Sequence, residues 1–429
     1  MAAILDFYGL FLVVALTFSS KNTVRGQPEQ IHMAFTGKSS ERIVNYVTQS
    51  QDVELKTVAL YGKDPKQLDQ KSVGESFLYP LPENQEVDSK YHRNLTIHNV
   101  KLTHLEANTK YYYRVGDPNN DLSDVFSFST NEDSLIYAVY GDMGFKNAVS
   151  LPLLKDEAKQ GKLHAVLHVG DLAYDFYEKH GVTGDEFMNS IQPIATLVPY
   201  MVLPGNHEHQ YNFSHYINRF SNMELGVGEN SGSGTGLWYS LDIGLIHFVA
   251  FDTEVYEYSS DDGQIARQLN WLEQDLAKAN KNRENVPWIV SLAHKSDFMD
   301  HTNFTYFSPL LHKYGVDIHF CGHSHNYQRY FPYFKREVDR QADKNIYKNP
   351  KYMTTVVVGS AGSKEKISEG LGPKTKLVTY IFDYGFGHLQ VFNRTHLSWK
   401  WENSQTYLDS SVQDNLWIIQ ENHGMRTAV

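Results

Sequence analysis

The chain has 429 residues, 41% of them hydrophobic and 21% charged, which excludes a disordered or collagen-like polypeptide. Its 39 Lys and Arg against 50 Asp and Glu leave a net charge of −11, a poor match for a nucleic-acid backbone. The single cysteine, Cys321, permits no intrachain disulfide and no cysteine zinc cluster, whereas twenty histidines direct attention to nitrogen- and oxygen-ligand sites.

Residues 1–24 read as a signal peptide. The nine-residue run Leu10–Phe18 is apolar apart from Thr17, too short for a bilayer span of about 20 residues and of the length of a secretory leader's apolar segment. Its start is atypical, because Asp6 precedes it and no Lys or Arg comes before Lys21. No integral membrane segment is expected after it. Four Asn-x-Ser/Thr sequons, at Asn94, Asn212, Asn303 and Asn393, fit a glycoprotein that is secreted or resides in a lysosomal lumen.

Residues 27–130 predict an all-β domain. Apolar alternation recurs in 30–35, 43–48, 53–61, 94–100, 111–116 and 125–130, with turn residues between, as in a β-sandwich. His92, His98 and His104 lie here without carboxylate company and are expected at the surface. From residue 134 the pattern changes to alternating strand and helix signals, which argues for an α/β layered domain over 134–405. Strands are expected at 135–140, 163–169, 200–203, 237–242, 245–251, 287–292, 316–321 and 353–358. Helices are expected at 148–159, 185–195 and 264–279, the last with Ile265, Leu269, Leu272 and Leu276 on one face. Residues 339–351 read as a loop and 406–429 as a weakly patterned tail. Cys321, in an apolar strand, reads as a packed core residue.

Polar clusters stand where the apolar strands stop: Asp142; Asp171 with Tyr174; Asn206 with His207; His294; His323 with His325. Each alone is weak, since Gly-Asp after a strand is commonly a turn that caps the next helix. Together they place carboxylates, an amide and imidazoles on one sheet edge, where sites form in open α/β sheets, with the donor set of a two-metal centre. Two neighbouring cations repel, so a carboxylate must bridge them, and Asp171 is central in order. A Tyr174 phenolate is a hard anionic donor suited to trivalent iron. Asn206 offers a neutral oxygen that leaves its metal more Lewis-acidic.

The motifs GDMG, GDLAY, GNHE and GHSH, with a histidine after an apolar strand, resemble those of the purple acid phosphatase family of metallophosphoesterases. The resemblance runs from about residue 30 to 400 and includes YYYRVGD, LWYSLDIGLIHFVAFDTEVY, QLNWLEQDLAKAN and YGFGHLQVFNRTHL. It implies a fibronectin-type-III-like sandwich followed by a metallophosphoesterase domain of mixed β-sheets flanked by helices. It further implies that Asp142, Asp171, Tyr174 and His325 hold Fe(III), while Asp171, Asn206, His294 and His323 hold a divalent Fe, Zn or Mn. Asn206 and His207 would contact the phosphate, with His207 assisting the leaving group. The implied reaction is hydrolysis of phosphate monoesters at acid pH by a metal-activated hydroxide.

The sequence departs from the family around His294, where SLAHKSDFMD replaces the usual surroundings. His301 is a candidate substrate contact, Lys295 is expected to be solvated, and Gln328 stands where the family commonly has Glu. The expected partners are small phosphorylated molecules, with no nucleic acid. A homodimer is compatible with the sequence, without a disulfide through Cys321. Two alternatives stay open: a two-metal phosphodiesterase or nucleotide phosphatase, and a catalytically weak binding protein on the same fold.

Overall fold

The structure, a computed structural model, describes residues 26–49, 55–82, 93–130, 135–259, 261–296, 306–368, 370–405 and 412–426. Residues 1–24, expected to be a signal peptide, and His92, His301 and Asn303 lie outside them.

The N-terminal domain is a sandwich of two antiparallel four-stranded sheets. One runs Glu29–Phe35, Arg42–Thr48, Asn94–Leu102, Glu75–Pro80 in spatial order; the other runs Gln70–Val73, Val58–Gly62, Lys110–Gly116, Phe126–Ser129. Alternating apolar residues put Ile31, Met33, Val44, Tyr46, Tyr111, Tyr113 and Val115 between the sheets. Gln70–Val73 and Glu75–Pro80 were not expected; both lie largely outside the core and neither sequence, QKSV or ESFLYP, alternates apolar with polar residues. His98 is a correction. It is buried rather than at the surface, stacked on its cross-strand partner Tyr46 at 4.4 Å and bonded to Thr48 and Thr57. His104 is exposed as expected.

The second domain is built on two seven-stranded sheets packed face to face. The first runs Tyr200–Leu203, Ala165–Val169, Ile136–Tyr140, Gly385–Val391, His396–Asn403, Val412–Ile419, Ile346–Lys348. The second runs Tyr239–Ile243, Ile246–Ala250, Trp288–Leu292, Ile318–Cys321, Thr354–Val358, Tyr327–Tyr330, Leu377–Ile381. Aromatic contacts join them: Tyr137 to Phe248 at 5.0 Å and Phe320 to Trp399 at 4.6 Å between centroids. Helices Leu151–Lys159, Val182–Ala195 and Asp262–Lys281 flank the sheets. In the last, Leu272 and Leu276 are fully buried and Ile265 and Leu269 half-buried, as the spacing predicts. Two expectations fail here. Part of 339–351 is the strand Ile346–Lys348, and the supposed tail contains Val412–Ile419, an interior strand of the first sheet. Cys321 is buried, its thiol facing Val356 O.

Within each sheet, the strands leading to the polar clusters run parallel. Ile136–Tyr140, Ala165–Val169 and Tyr200–Leu203 share one direction, as do Trp288–Leu292 and Ile318–Cys321. Their carboxyl ends therefore open on one edge. The domains are tied together by Tyr113 Oη donating to Thr196 O at 3.0 Å and by buried Arg219, which donates to Asp185 at 2.8 Å and Gln30 at 3.2 Å.

Candidate metal centre

The strand ends turn sharply, and the turning residues are themselves the ligand candidates. Asp142, Asp171, Tyr174 and His323 all have left-handed backbone, with φ of 60°, 52°, 51° and 68°. Left-handed backbone disfavours bulky side chains such as Tyr, and such strain collects at functional sites. The glycines beside them are there for room. A Cβ on Gly205 would collide with Asp171 Oδ1, and one on Gly322 with Asp142 Oδ2.

Two triads of donor atoms result, Asp142–Asp171–His325 and Asp171–His294–His323, the atoms within each lying within 4.8 Å of one another. Asp171 belongs to both. In the first, Tyr174 Oη donates to Asp142 Oδ1 at 3.0 Å and lies 2.9 Å from His325 Nε2. In the second, His294 Nε2 lies 3.1 Å from Asp171 Oδ2 and 3.1 Å from Asn206 Oδ1. All seven expected ligands thus meet at one place.

The ligands are held from behind. His294 Nδ1 donates to Val169 O and His325 Nδ1 to Lys366 O, each at 2.9 Å, which turns both Nε2 atoms toward the carboxylates. Asp171 Oδ1 accepts the His207 N–H and Asp142 Oδ2 the His323 N–H, each at 2.9 Å. Asp142, Asp171 and Tyr174 are at most 1% exposed. Among the described residues only imidazoles, and no Lys or Arg, pair with the two carboxylates. Buried carboxylates with imidazoles rather than Lys or Arg as partners fit a site built for metal cations.

Protonation follows the same logic. Burial works against charge on Asp171, yet His294 and His207 hold it below the usual carboxylate range. Burial also opposes charge on His294, but Asp171 raises it to about 10. Burial, with Asp142 and Asp171, holds the Tyr174 phenol well above its ordinary value. His323 goes the other way, lowered to about 4 by burial and by His294.

His207 stands at the rim. Its Nδ1 donates to Asp175 Oδ1 at 2.5 Å, leaving Nε2 at 4.0 Å from Asp171 Oδ2 and 3.5 Å from Glu365. Burial opposes its charge, but Asp175 and Asp171 raise it to about 9. Two participants escaped sequence reasoning: Asp175, one residue past GDLAY, and Glu208, the acid of GNHE, both of which act through contacts more than thirty residues away. Lys295 is a correction: it is buried and paired with Glu254 at 2.9 Å and Glu257 at 2.8 Å, not solvated. Gln328 is buried, and its amide donates to Asn326 Oδ1 at 2.6 Å and Gly370 O at 2.8 Å, two bonds a glutamate could not donate.

Comparison with known proteins agrees with this geometry. Residues 28–130 match a family model described as purple acid phosphatase, N-terminal domain; residues 136–327 match calcineurin-like phosphoesterase; residues 352–415 match iron/zinc purple acid phosphatase-like protein C. Acid phosphatase type 7 of Danio rerio is 34% identical, covering 93% of this chain and 92% of the relative. The Homo sapiens protein of that name is 32% identical, covering 93% and 92%. The fold is shared with the purple acid phosphatase PPD1 from yellow lupin seeds (TM-score 0.72, 22% identity, 92% of this chain and 75% of that one). The chain belongs to the purple acid phosphatase family, and its two clusters match that family's binuclear Fe(III)–M(II) centre.

Proposed function

We propose that this chain is an acid phosphatase for small phosphate monoesters, with Asp142, Tyr174, His325 and Asp171 holding Fe(III) and Asn206, His294, His323 and Asp171 holding the divalent ion. The observation that carries this reading is the membership of Asp171 in both donor triads. When bound, such a pair of cations neutralises charge on the phosphoryl oxygens and provides a nucleophile from water at low pH. Two carboxylates and a phenol surround one position and suit the higher charge. The second position has one carboxylate, two imidazoles and a neutral amide, so Asn206 leaves it more Lewis-acidic.

His207 serves the leaving group. Asp175 fixes its Nδ1, so Nε2 is the end that gives a proton to the departing oxygen. This matters most for alkyl phosphates, whose alkoxides leave poorly without a proton. The compartment that suits such chemistry is an acidic lumen or the secreted space, consistent with the Leu10–Phe18 run and with sequons whose Asn212 and Asn393 are exposed.

The test is metal content together with turnover. Asp171→Ala is expected to lose both metals and all hydrolysis of a monoester such as p-nitrophenyl phosphate. An Asp171→Ala protein that retained two metals and full activity would falsify the assignment. Faster hydrolysis of a bis-ester than of a monoester by the wild-type enzyme would favour the phosphodiesterase reading instead.

A further inference from the structure

A second concave site lies away from the metal ligands. The loop Gly232–Thr235, the indole of Trp238 and the outer face of the helix Asp262–Lys281 line an open pocket of about 450 Å³. None of its lining residues ligates a metal or touches His207. The helix contributes Gln264, Arg267, Asn270, Trp271 and Gln274, each three or four residues from another of the set, so they share one face.

The lining has one consistent chemistry. The half-buried indole of Trp271 supplies an apolar surface, and three carboxamides supply groups that both donate and accept hydrogen bonds. No carboxylate is among the lining residues, and the one cation, Arg267, is paired with Asp261 at 2.6 Å. The site is therefore close to neutral, on a chain of net charge −11. Trp271 is held in place, its Nε1 donating to Ser231 O at 3.1 Å. Trp238, 4% exposed, forms the buried floor beside it. Beside Gly232 and Gly234 the space is open, which lets a ligand approach the loop backbone.

We propose that this pocket binds a saccharide. A sugar ring presents a C–H face that stacks on an indole such as Trp271, and hydroxyls that match carboxamides in donating and accepting at once. It is also uncharged, which suits a lining whose one cation, Arg267, is already paired. The expected ligand class is a neutral monosaccharide unit or the end of a glycan. Its binding is independent of phosphate-ester hydrolysis, so this inference stands apart from the proposed function.

The metal-loaded full chain would be titrated with methyl α-mannoside, N-acetylglucosamine and lactose, following tryptophan fluorescence and heat of binding. At least one sugar is expected to saturate in the millimolar range. The double variant Asn270→Ala/Gln274→Ala alters two exposed side chains and leaves the core intact. It is expected to bind that sugar at least tenfold more weakly, with turnover of p-nitrophenyl phosphate unchanged. No saturable response to any of the three sugars up to tens of millimolar would overturn the proposal. So would sugar binding undiminished in the double variant, or saturable binding of inorganic sulfate with none of any sugar.

Discussion

Glu208 Oε2 accepts the backbone N–H of Asp171 at 2.9 Å, from 37 residues further along the chain. The same oxygen accepts Gly205 N–H at 2.8 Å, and Oε1 accepts Leu172 N–H at 3.0 Å. A buried carboxylate thus fastens the turn that carries the shared ligand to the turn that carries Asn206. Only an acceptor-only group satisfies all three donors. Glu208→Gln would aim an amide N–H₂ at N–H groups and loosen both turns. The expected result is metal affinity about 10- to 100-fold weaker, read by competition with a chelator, while the far-ultraviolet circular dichroism stays native.

Asp175 and His207 make a separable prediction. Removing the carboxylate should lower the His207 pKa, which Asp175 and Asp171 hold at about 9. His207 is protonated below that pKa, so the alkaline limb of activity in Asp175→Asn should move to lower pH. Loss in kcat should be about 10- to 100-fold for an alkyl phosphate, and much smaller for p-nitrophenyl phosphate, whose leaving group needs no proton. Equal losses on the two substrates would remove the leaving-group role.

Tyr174 carries an optical prediction. Its phenol is buried beside Asp142 and Asp171, which hold its pKa well above the ordinary value, so only a strongly charged cation makes it ionise. The iron-loaded protein should show a broad visible band from tyrosinate bound to Fe(III). Tyr174→Phe should lose the band and keep most of its metal. Loading the wild-type chain with metal should also release protons, because His294, raised to about 10 by Asp171, must shed one to bind. A colourless wild-type protein containing two metals would remove the ferric-tyrosinate site.

A pH-dependent term in stability sits where the first sheet meets the helix Leu151–Lys159. His388 lies between Glu157 Oε2, at 2.8 Å from Nε2, and Glu402 Oε1, at 3.6 Å from Nδ1. Burial opposes its charge, yet the two glutamates raise it from 6.5 to about 9. A raised imidazole stabilises the fold fully below the unfolded value and ceases to do so as pH climbs through the folded one. The contribution is on the order of 2–3 kcal/mol. In urea unfolding, His388→Gln should be destabilised at pH 6, and the gap should close by about pH 9.5. His247, between Asp242 and Asp275 and also raised to about 9, stays the same in both proteins and cancels in the difference.

The ligand set was readable because every ligand sits where an apolar run stops, and an apolar run is itself legible. What stayed hidden depended on partners far away in the chain. The strand Val412–Ile419 has Asp414 at an inward position, which breaks the apolar alternation. The acid is accepted there because Arg329 donates to it through Nε at 2.6 Å and Nη2 at 2.8 Å, and Tyr327 Oη donates at 2.6 Å. His98 gave no local sign of its stacking on Tyr46, since the two are opposed only once the strands pair. Lys295 is neutralised by Glu254 and Glu257, about forty residues earlier, so its burial could not be inferred from its neighbours. Asp175 and Glu208 lay inside or beside the motifs, but their roles are contacts between motifs.

The order of strands in the first sheet also constrains how the protein is made. Ile136–Tyr140, whose end carries Asp142, lies between Ala165–Val169 and Gly385–Val391. On the ribosome its first neighbour emerges within about thirty residues of its own end, whereas its second is more than two hundred residues away. Until then one edge of the nascent sheet is bare and open to pairing with another chain. The half of the centre on Asp142 and Asp171 is therefore synthesised long before the sheet that steadies it can close, and shielding that edge falls to whatever attends the chain during its synthesis.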